Sequence, residues 1–136
     1  GIQKSASTSR YDHHILEASK KYGLSPALIK AIIKAESGFN PAAVSRKGAL
    51  GLMQIMPENV KVLNISDPFN PRENIMGGSK YFSEMLDRYD KRVQLALAAY
   101  NAGPTQVDRY KSIPPFPETV EYVKRVMSYY YVYKKG

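Results

Sequence analysis

Apolar residues along this chain recur mostly at intervals of three and four, the spacing of one face of an α-helix, and few segments alternate with the period of two expected of a half-buried strand. The pattern predicts a helix from about Arg10 to Tyr22, with a stripe of Ile15, Leu16 and Ala18 or Ser19 and a stop at Gly23. A second helix follows, with Ser25 as N-cap, Pro26 at the first helical position and Leu24 and Ile29 spaced as a hydrophobic staple. Asn70 with Pro71 opens a long helix running to about Tyr89, whose broad face carries Ile75, Gly78, Tyr81, Phe82, Met85, Leu86 and Tyr89, with Gly77 and Gly78 placed for close helix packing. Residues 93–103 are apolar almost all round and read as a central buried helix, and Pro104 opens a short one to about Tyr110. A last helix is expected from Pro117 to about Tyr131, with Val120, Val123, Met127 and Tyr130 or Tyr131 facing inward. Residues 37–60 hold too much Gly, Pro, Ser and Asn for a continuous helix; loops of that length inside a domain are functional or carry a short ribbon. The expected fold is a mainly α single domain with at most a small β-ribbon or irregular loop.

One position breaks the pattern. In the second helix Ile29, Ile32 and Ile33 form the buried stripe, Lys30 and Lys34 take the wet side, and the i+7 member of the apolar series is Glu36. The helix ends at Gly38, so one explanation is a last turn that has reached solvent. The other is chemical. A carboxylate at a helix C-terminus faces the negative end of the macrodipole, and burial beside isoleucines disfavours its charge further. Both effects raise a pKa, which suits a general acid.

Composition narrows the partners. The 136 residues suffice for one domain with its own core, and residues 1–9 read as a flexible linker ahead of a domain spanning 10–136. There is no cysteine, hence no disulfide, thiolate site or cysteine nucleophile, and the adjacent His13 and His14 face different ways on a helix, as ordinary surface or half-buried residues. No metal motif is present, and no cofactor is expected. No stretch approaches the roughly 20 apolar residues that cross a bilayer, so any signal or anchor is expected outside these residues. Twenty Lys and Arg against twelve Asp and Glu give +8, which favours a polyanion. Nucleic acid and an acidic cell-wall polymer both fit that charge. The basic residues are scattered, and no nucleic-acid-binding motif accompanies them, so nucleic acid is not the expected partner.

Four segments follow in order: ESGFNPAAVS from the glutamate onward, GALGLMQIMP, AYNAGPTQV and PETVEYVKRV. Together they resemble the catalytic domain of lytic transglycosylases, in the soluble-type, goose-lysozyme-like branch of the lysozyme superfamily. The resemblance covers about Tyr22 to Met127 and implies a lysozyme-like fold. It implies that Glu36 is the sole catalytic acid and base, with Ser37 as a site-shaping hydroxyl, Ser45 as a substrate contact, Gln54 and Met56 along a sugar groove, Tyr100 and Asn101 beside the glutamate, and Glu118 and Tyr122 at the rear. Phe39 sits where many relatives carry an aromatic residue. The implied reaction cleaves peptidoglycan without water. Glu36 protonates the leaving oxygen, the N-acetyl group of N-acetylmuramic acid stabilises the cationic centre, and Glu36 then takes the proton of the six-hydroxyl to close a 1,6-anhydro ring, with hydroxyls such as those of Tyr100 and Tyr122 orienting it. The implied setting is the periplasm or cell envelope, with the protein acting as a monomer.

Each of these residues also has a plain structural reading. Gln54 fits an exposed loop, Met53 and Met56 fit a core, and Tyr100 fits a buried tyrosine whose hydroxyl finds a partner. Glu118, in the first turn after Pro117, fits a helix-dipole partner. Two other functions stay open: a goose-lysozyme-like hydrolase, in which Glu58, Asp67, Glu73 or Glu118 supplies a second carboxylate, and a weakly active glycan-binding module of a cell-envelope assembly. Sugar stacking would rest on the eleven tyrosines and four phenylalanines, because the chain has no tryptophan.

Overall fold

The computed structural model describes residues 10–136; the expected linker over residues 1–9 lies outside the described residues. The helices are α1 (Asp12–Tyr22), α2 (Pro26–Ser37), α3 (Pro57–Val62), α4 (Pro71–Arg88), α5 (Val93–Ala102), α6 (Pro104–Tyr110) and α7 (Pro117–Lys135). Their ends follow local chemistry. The Ser25 and Asn70 side chains accept from the backbone N–H groups of Leu28 and Glu73, each followed by proline at the first helical position, and Gly23 and Gly38 leave α1 and α2 in the left-handed conformation. Such signals act within one turn, which is why the sequence discloses them.

One core fills the molecule. α2 packs chiefly on α7, α1 on α4, and α5 lies between α4 and α7. Ala96, Leu97, Ala98 and Ala99 of α5 are all inaccessible, so consecutive residues around the whole helix are buried, as the apolar run predicts. Ile29, Ile32 and Ile33 of α2 are equally buried. Burying one such side chain contributes about 1.5–3 kcal/mol, so these two helices form a stiff frame.

Four local expectations are corrected. α3 begins inside the stretch read as a functional loop or short ribbon and runs past its end; Pro57 and Glu58 begin it with the same Pro-Glu signature as α7. α7 runs on to Lys135, with Tyr129, Tyr130 and Tyr133 packed against the core, and its buried stripe is Thr119, Tyr122, Val123 and Val126, while Val120 is half-buried and Tyr131 exposed. In α1 the buried residues are Ile15 and Ala18, and Leu16 faces solvent. Gly77 and Gly78 admit loops, not helices: a Cβ at Gly77 would come within 2.5 Å of Ile65, and one at Gly78 within 2.6 Å of Met53.

The segment from Gly38 to Met56 is a compact double turn. Val44 pairs with Leu50, and Leu50 pairs again with Ile55, as isolated antiparallel bridges, so the expected ribbon is reduced to these contacts. Its anchor is Asn74 of α4, a fully buried polar residue on an apolar face. The Met53 N–H donates to Asn74 Oδ1 at 2.7 Å, and Asn74 Nδ2 donates to the carbonyls of Leu50 and Pro68 at 2.9 and 2.8 Å. A buried amide bonded at both ends costs little and fixes geometry. Gly51 is where the loop passes over it: φ is +77°, and a Cβ there would lie 2.4 Å from Asn74 Nδ2 and 2.5 Å from the Pro68 carbonyl.

Candidate active site

Glu36 sits in the last turn of α2, with α7 behind it and the double turn across from it, at the floor of a cleft of about 410 Å³. The residue as a whole is half-buried, with its carboxyl desolvated at the cleft floor, so it meets both the core and the cleft. Desolvation pushes its pKa up to about 7; the Tyr122 hydroxyl and the Arg125 charge oppose that rise, and the Glu118 charge adds to it. Burial, one of the two effects expected at this helix end, thus yields an acid that holds a proton near neutrality.

The same cleft is lined by Ser45, Gln54, Met56, Tyr100, Asn101 and Glu118, so six of the residues singled out in the sequence converge on the glutamate. Ser45 Oγ accepts from the Ala49 N–H at 2.9 Å, closing the turn while keeping its own proton for a ligand. Gln54 has φ of +54°, an uncommon conformation for a residue with a side chain, and its Nε2 donates to the Gly51 and Ala43 carbonyls at 2.9 and 3.2 Å. Its Oε1 is what remains for the cleft. Asn101 Oδ1 accepts from the Thr119 hydroxyl at 2.8 Å, which joins α5 to α7 and leaves the Asn101 amide N–H groups as donors.

Two of the expected residues act from behind the cleft. Ser37 Oγ lies 2.7 Å from the Leu52 carbonyl and 3.2 Å from that of Ile33, pinning the end of α2 to the double turn. Tyr122 is buried against Glu36. Its hydroxyl is close enough to stabilise the ionised carboxylate and has no other protein partner among the described residues. Tyr122 and Glu36 each alter the other's proton affinity. Tyr100 differs from expectation: its hydroxyl donates to the Met53 carbonyl at 2.7 Å and acts on Glu36 only through proximity. Phe39 offers the cleft no face, being buried and stacked in parallel on Tyr11 with ring centroids 6.4 Å apart.

Sequence reasoning passed over three contributors. Arg46 and Lys47 line the cleft from the tip of the 45–48 turn, though nothing local separates them from the other scattered cations. Tyr81 lines an adjoining hollow of about 300 Å³ together with Lys47, Gln54, Met56, Tyr100 and Asn101, so the cleft continues past the glutamate as a groove. The Tyr81 and Tyr100 rings are 5.5 Å apart and tilted, a pair of aromatic edges in place of the missing tryptophan. Among the described residues no group of His, Asp or Glu is arranged to hold a metal ion.

The Tyr122 contact carries a directional prediction. The hydroxyl lowers the Glu36 pKa, so Tyr122→Phe raises it further, and the alkaline limb of the pH–activity profile moves to higher pH. The plateau rate is expected to fall about tenfold from lost orientation. A purely structural role for the tyrosine would lower activity without moving that limb, and rate measurements between pH 5 and pH 9 separate the two.

Comparison with known proteins supplies the remaining constraint. Residues 13–123 match the family described as the transglycosylase SLT domain. The chain is similar to a transglycosylase of Enterobacteria phage PRD1, 41% identical over 100 residues, covering 71% of this chain and 37% of that protein. It is similar to a membrane-bound lytic murein transglycosylase F of Alkalilimnicola ehrlichii, 36% identical over 100 residues, covering 69% of this chain and 20% of the relative. In structure it resembles the X-ray structure of an inactive glutamate-to-glutamine mutant of the lytic transglycosylase Slt from Pseudomonas aeruginosa, with a TM-score of 0.81 and 32% identity, over 90% of this chain and 24% of that one. The chain thus spans between 20% and 37% of the length of these relatives.

Proposed function

This chain belongs to the transglycosylase SLT domain family, and on that premise we propose that it cleaves the β-1,4 bond between N-acetylmuramic acid and N-acetylglucosamine in peptidoglycan, leaving 1,6-anhydromuramic acid ends. The observation that carries the reading is Glu36: one half-buried acid with its pKa near 7, on a rigid helix end, at the floor of a groove lined with amides and hydroxyls. The Pseudomonas aeruginosa relative made inactive by a glutamate-to-glutamine change supports the same role.

In this mechanism the Glu36 proton moves to the glycosidic oxygen as the C1–O4 bond breaks. The substrate's own N-acetyl group stabilises the oxocarbenium-like C1. The Glu36 carboxylate then accepts the proton of the six-hydroxyl while O6 bonds to C1, which restores the acid and consumes no water. A pKa near 7 suits both halves, because the two directions of transfer are nearly balanced. Asn101 donors and the Gln54 Oε1 can bind N-acetyl and hydroxyl groups, and the half-buried Met56 supplies an apolar contact for a sugar C–H face.

A hydrolase would place a second carboxylate beside an attacking water. Glu118 lines the same cleft and is its candidate. Mass spectrometry of the muropeptides released from purified sacculi decides between them: anhydromuramic ends are expected, and exclusively reducing ends overturn the lyase reading. Bulk peptidoglycan is the proposed partner, the cell envelope, in its periplasmic face, the proposed location, and a monomer the proposed active form, with the names of the membrane-bound relatives as support for an envelope role. Among the described residues no helix is long and apolar enough to cross a membrane.

A further inference from the structure

The 45–49 turn is closed three times over: the Gly48 N–H donates to the Ser45 carbonyl at 2.9 Å, the Ser45 N–H to the Ala49 carbonyl at 3.0 Å, and the Ala49 N–H to Ser45 Oγ at 2.9 Å. Gly48, with φ of +93°, lets the chain turn back, so Arg46 and Lys47 are held at the tip. Both are exposed and line the cleft that contains Glu36, and Lys47 also lines the adjoining hollow. Four basic side chains elsewhere in the described residues have acidic partners: Lys30 with Asp12, Arg72 with Glu17, Arg88 with Asp108 and Lys91 with Asp87. Among the described residues Arg46 and Lys47 have none. Many other cations there are equally unpaired; Arg46 and Lys47 are set apart because they are the two that line the cleft with Glu36.

We propose that Arg46 and Lys47 form a carboxylate-binding station on the glycan cleft, selecting strands that carry an anionic substituent next to the bond being cut. The proposal rests on the reading of the chain as a peptidoglycan-cleaving domain and names the chemistry its cleft prefers. An arginine presents a planar fork and a lysine a mobile ammonium, so two cations on a rigid turn can hold one carboxylate in a charge-assisted contact. In this polymer the carboxylate has two sources: the lactyl ether of a muramyl residue without its peptide, or the acidic groups of the peptide stem. Glu118, at the start of α7, lines the same cleft and repels an anion from its own side.

The test uses calorimetric titration of the Glu36→Gln protein, so that binding is read without turnover. The titrants are soluble strands with intact stems, strands stripped of peptide to expose lactyl carboxylates, and each of these after conversion of carboxyls to methylamides. The expected result is about tenfold tighter binding of a carboxylate-bearing strand than of its methylamide, falling to near parity when Arg46→Gln and Lys47→Gln are added, with each single change giving an intermediate ratio. Preference for stripped strands assigns the lactyl group; preference confined to intact strands assigns the stem. Parity before the turn is altered, or a preference that survives both changes, overturns the proposal. Absence of anhydromuramic products from the unaltered protein would count instead against the lyase chemistry and would leave the binding ratio readable.

Discussion

Glu36→Gln is expected to lower release of soluble muropeptides at least about a thousandfold while binding to sacculi persists. The amide keeps the volume and hydrogen-bonding edge of the acid but has no proton to give a leaving oxygen and cannot take one from the six-hydroxyl. Retention of wild-type lysis would remove Glu36 from the mechanism. The same substitution has a second consequence for stability. The folded pKa of about 7 lies above the ordinary 4.5, so the folded protein holds this proton more tightly than the unfolded chain. That contribution is complete below about pH 4.5 and is lost as pH rises through 7, where ionised Glu36 destabilises the fold. Glu36→Gln is therefore expected to match the wild type near pH 4 and to exceed it above pH 8, by at most about 3 kcal/mol, less as cleft water screens the charge. Urea denaturation at the two pH values measures the difference, and equal stability at both would show that the carboxyl is not desolvated.

Asn74→Ala is the largest expected structural loss. It removes three hydrogen bonds at an inaccessible site and leaves the Met53 N–H and the Leu50 and Pro68 carbonyls facing a cavity. We expect a cost of about 3–5 kcal/mol, lowering the melting temperature by roughly 10 °C or more. Activity should fall even where the protein stays folded, because Met53 also holds Tyr100. Asn74→Asp distinguishes hydrogen bonding from packing: it keeps the volume and an acceptor for the Met53 N–H but turns acidic oxygens toward two carbonyls. Its penalty is expected to grow with pH as the buried carboxyl is forced to ionise, whereas the alanine penalty stays flat. Thermal melts of both variants across pH check this, and a melting temperature within a few degrees of wild type for Asn74→Ala would show that the anchor is dispensable.

How much of this was legible beforehand depended on the range of the cause. Helix ends set by Ser25, Pro26, Gly38, Asn70 and Pro71 are decided within a turn and read directly. Glu36 stood out because its register conflicts with its polarity. In α7, by contrast, Val120, Val123 and Met127 and the alternative set Thr119, Tyr122, Val123 and Val126 both satisfy helical spacing; packing on α2 and α5 chose the second. Asn74 was hidden because a polar residue on an apolar face has no local signature of the carbonyls it will meet. The Tyr100 hydroxyl was assigned toward the glutamate by resemblance, but its nearest acceptor is a carbonyl 47 residues earlier in the chain. Arg46 and Lys47 became distinct only when the folded turn placed them, unpaired, on the cleft.

Residue Met53 joins three elements through its two backbone groups: its N–H enters α4 through Asn74, and its carbonyl receives the hydroxyl of α5 through Tyr100. The groove wall therefore cannot swing as an independent flap. In hydrogen–deuterium exchange the Met53 amide should resist labelling as long as the helices themselves do, because releasing it means breaking the core contact beneath it. Substrate entry then has to rely on a groove that stands open beforehand, and sugar recognition on a wall that is already in place when the strand arrives.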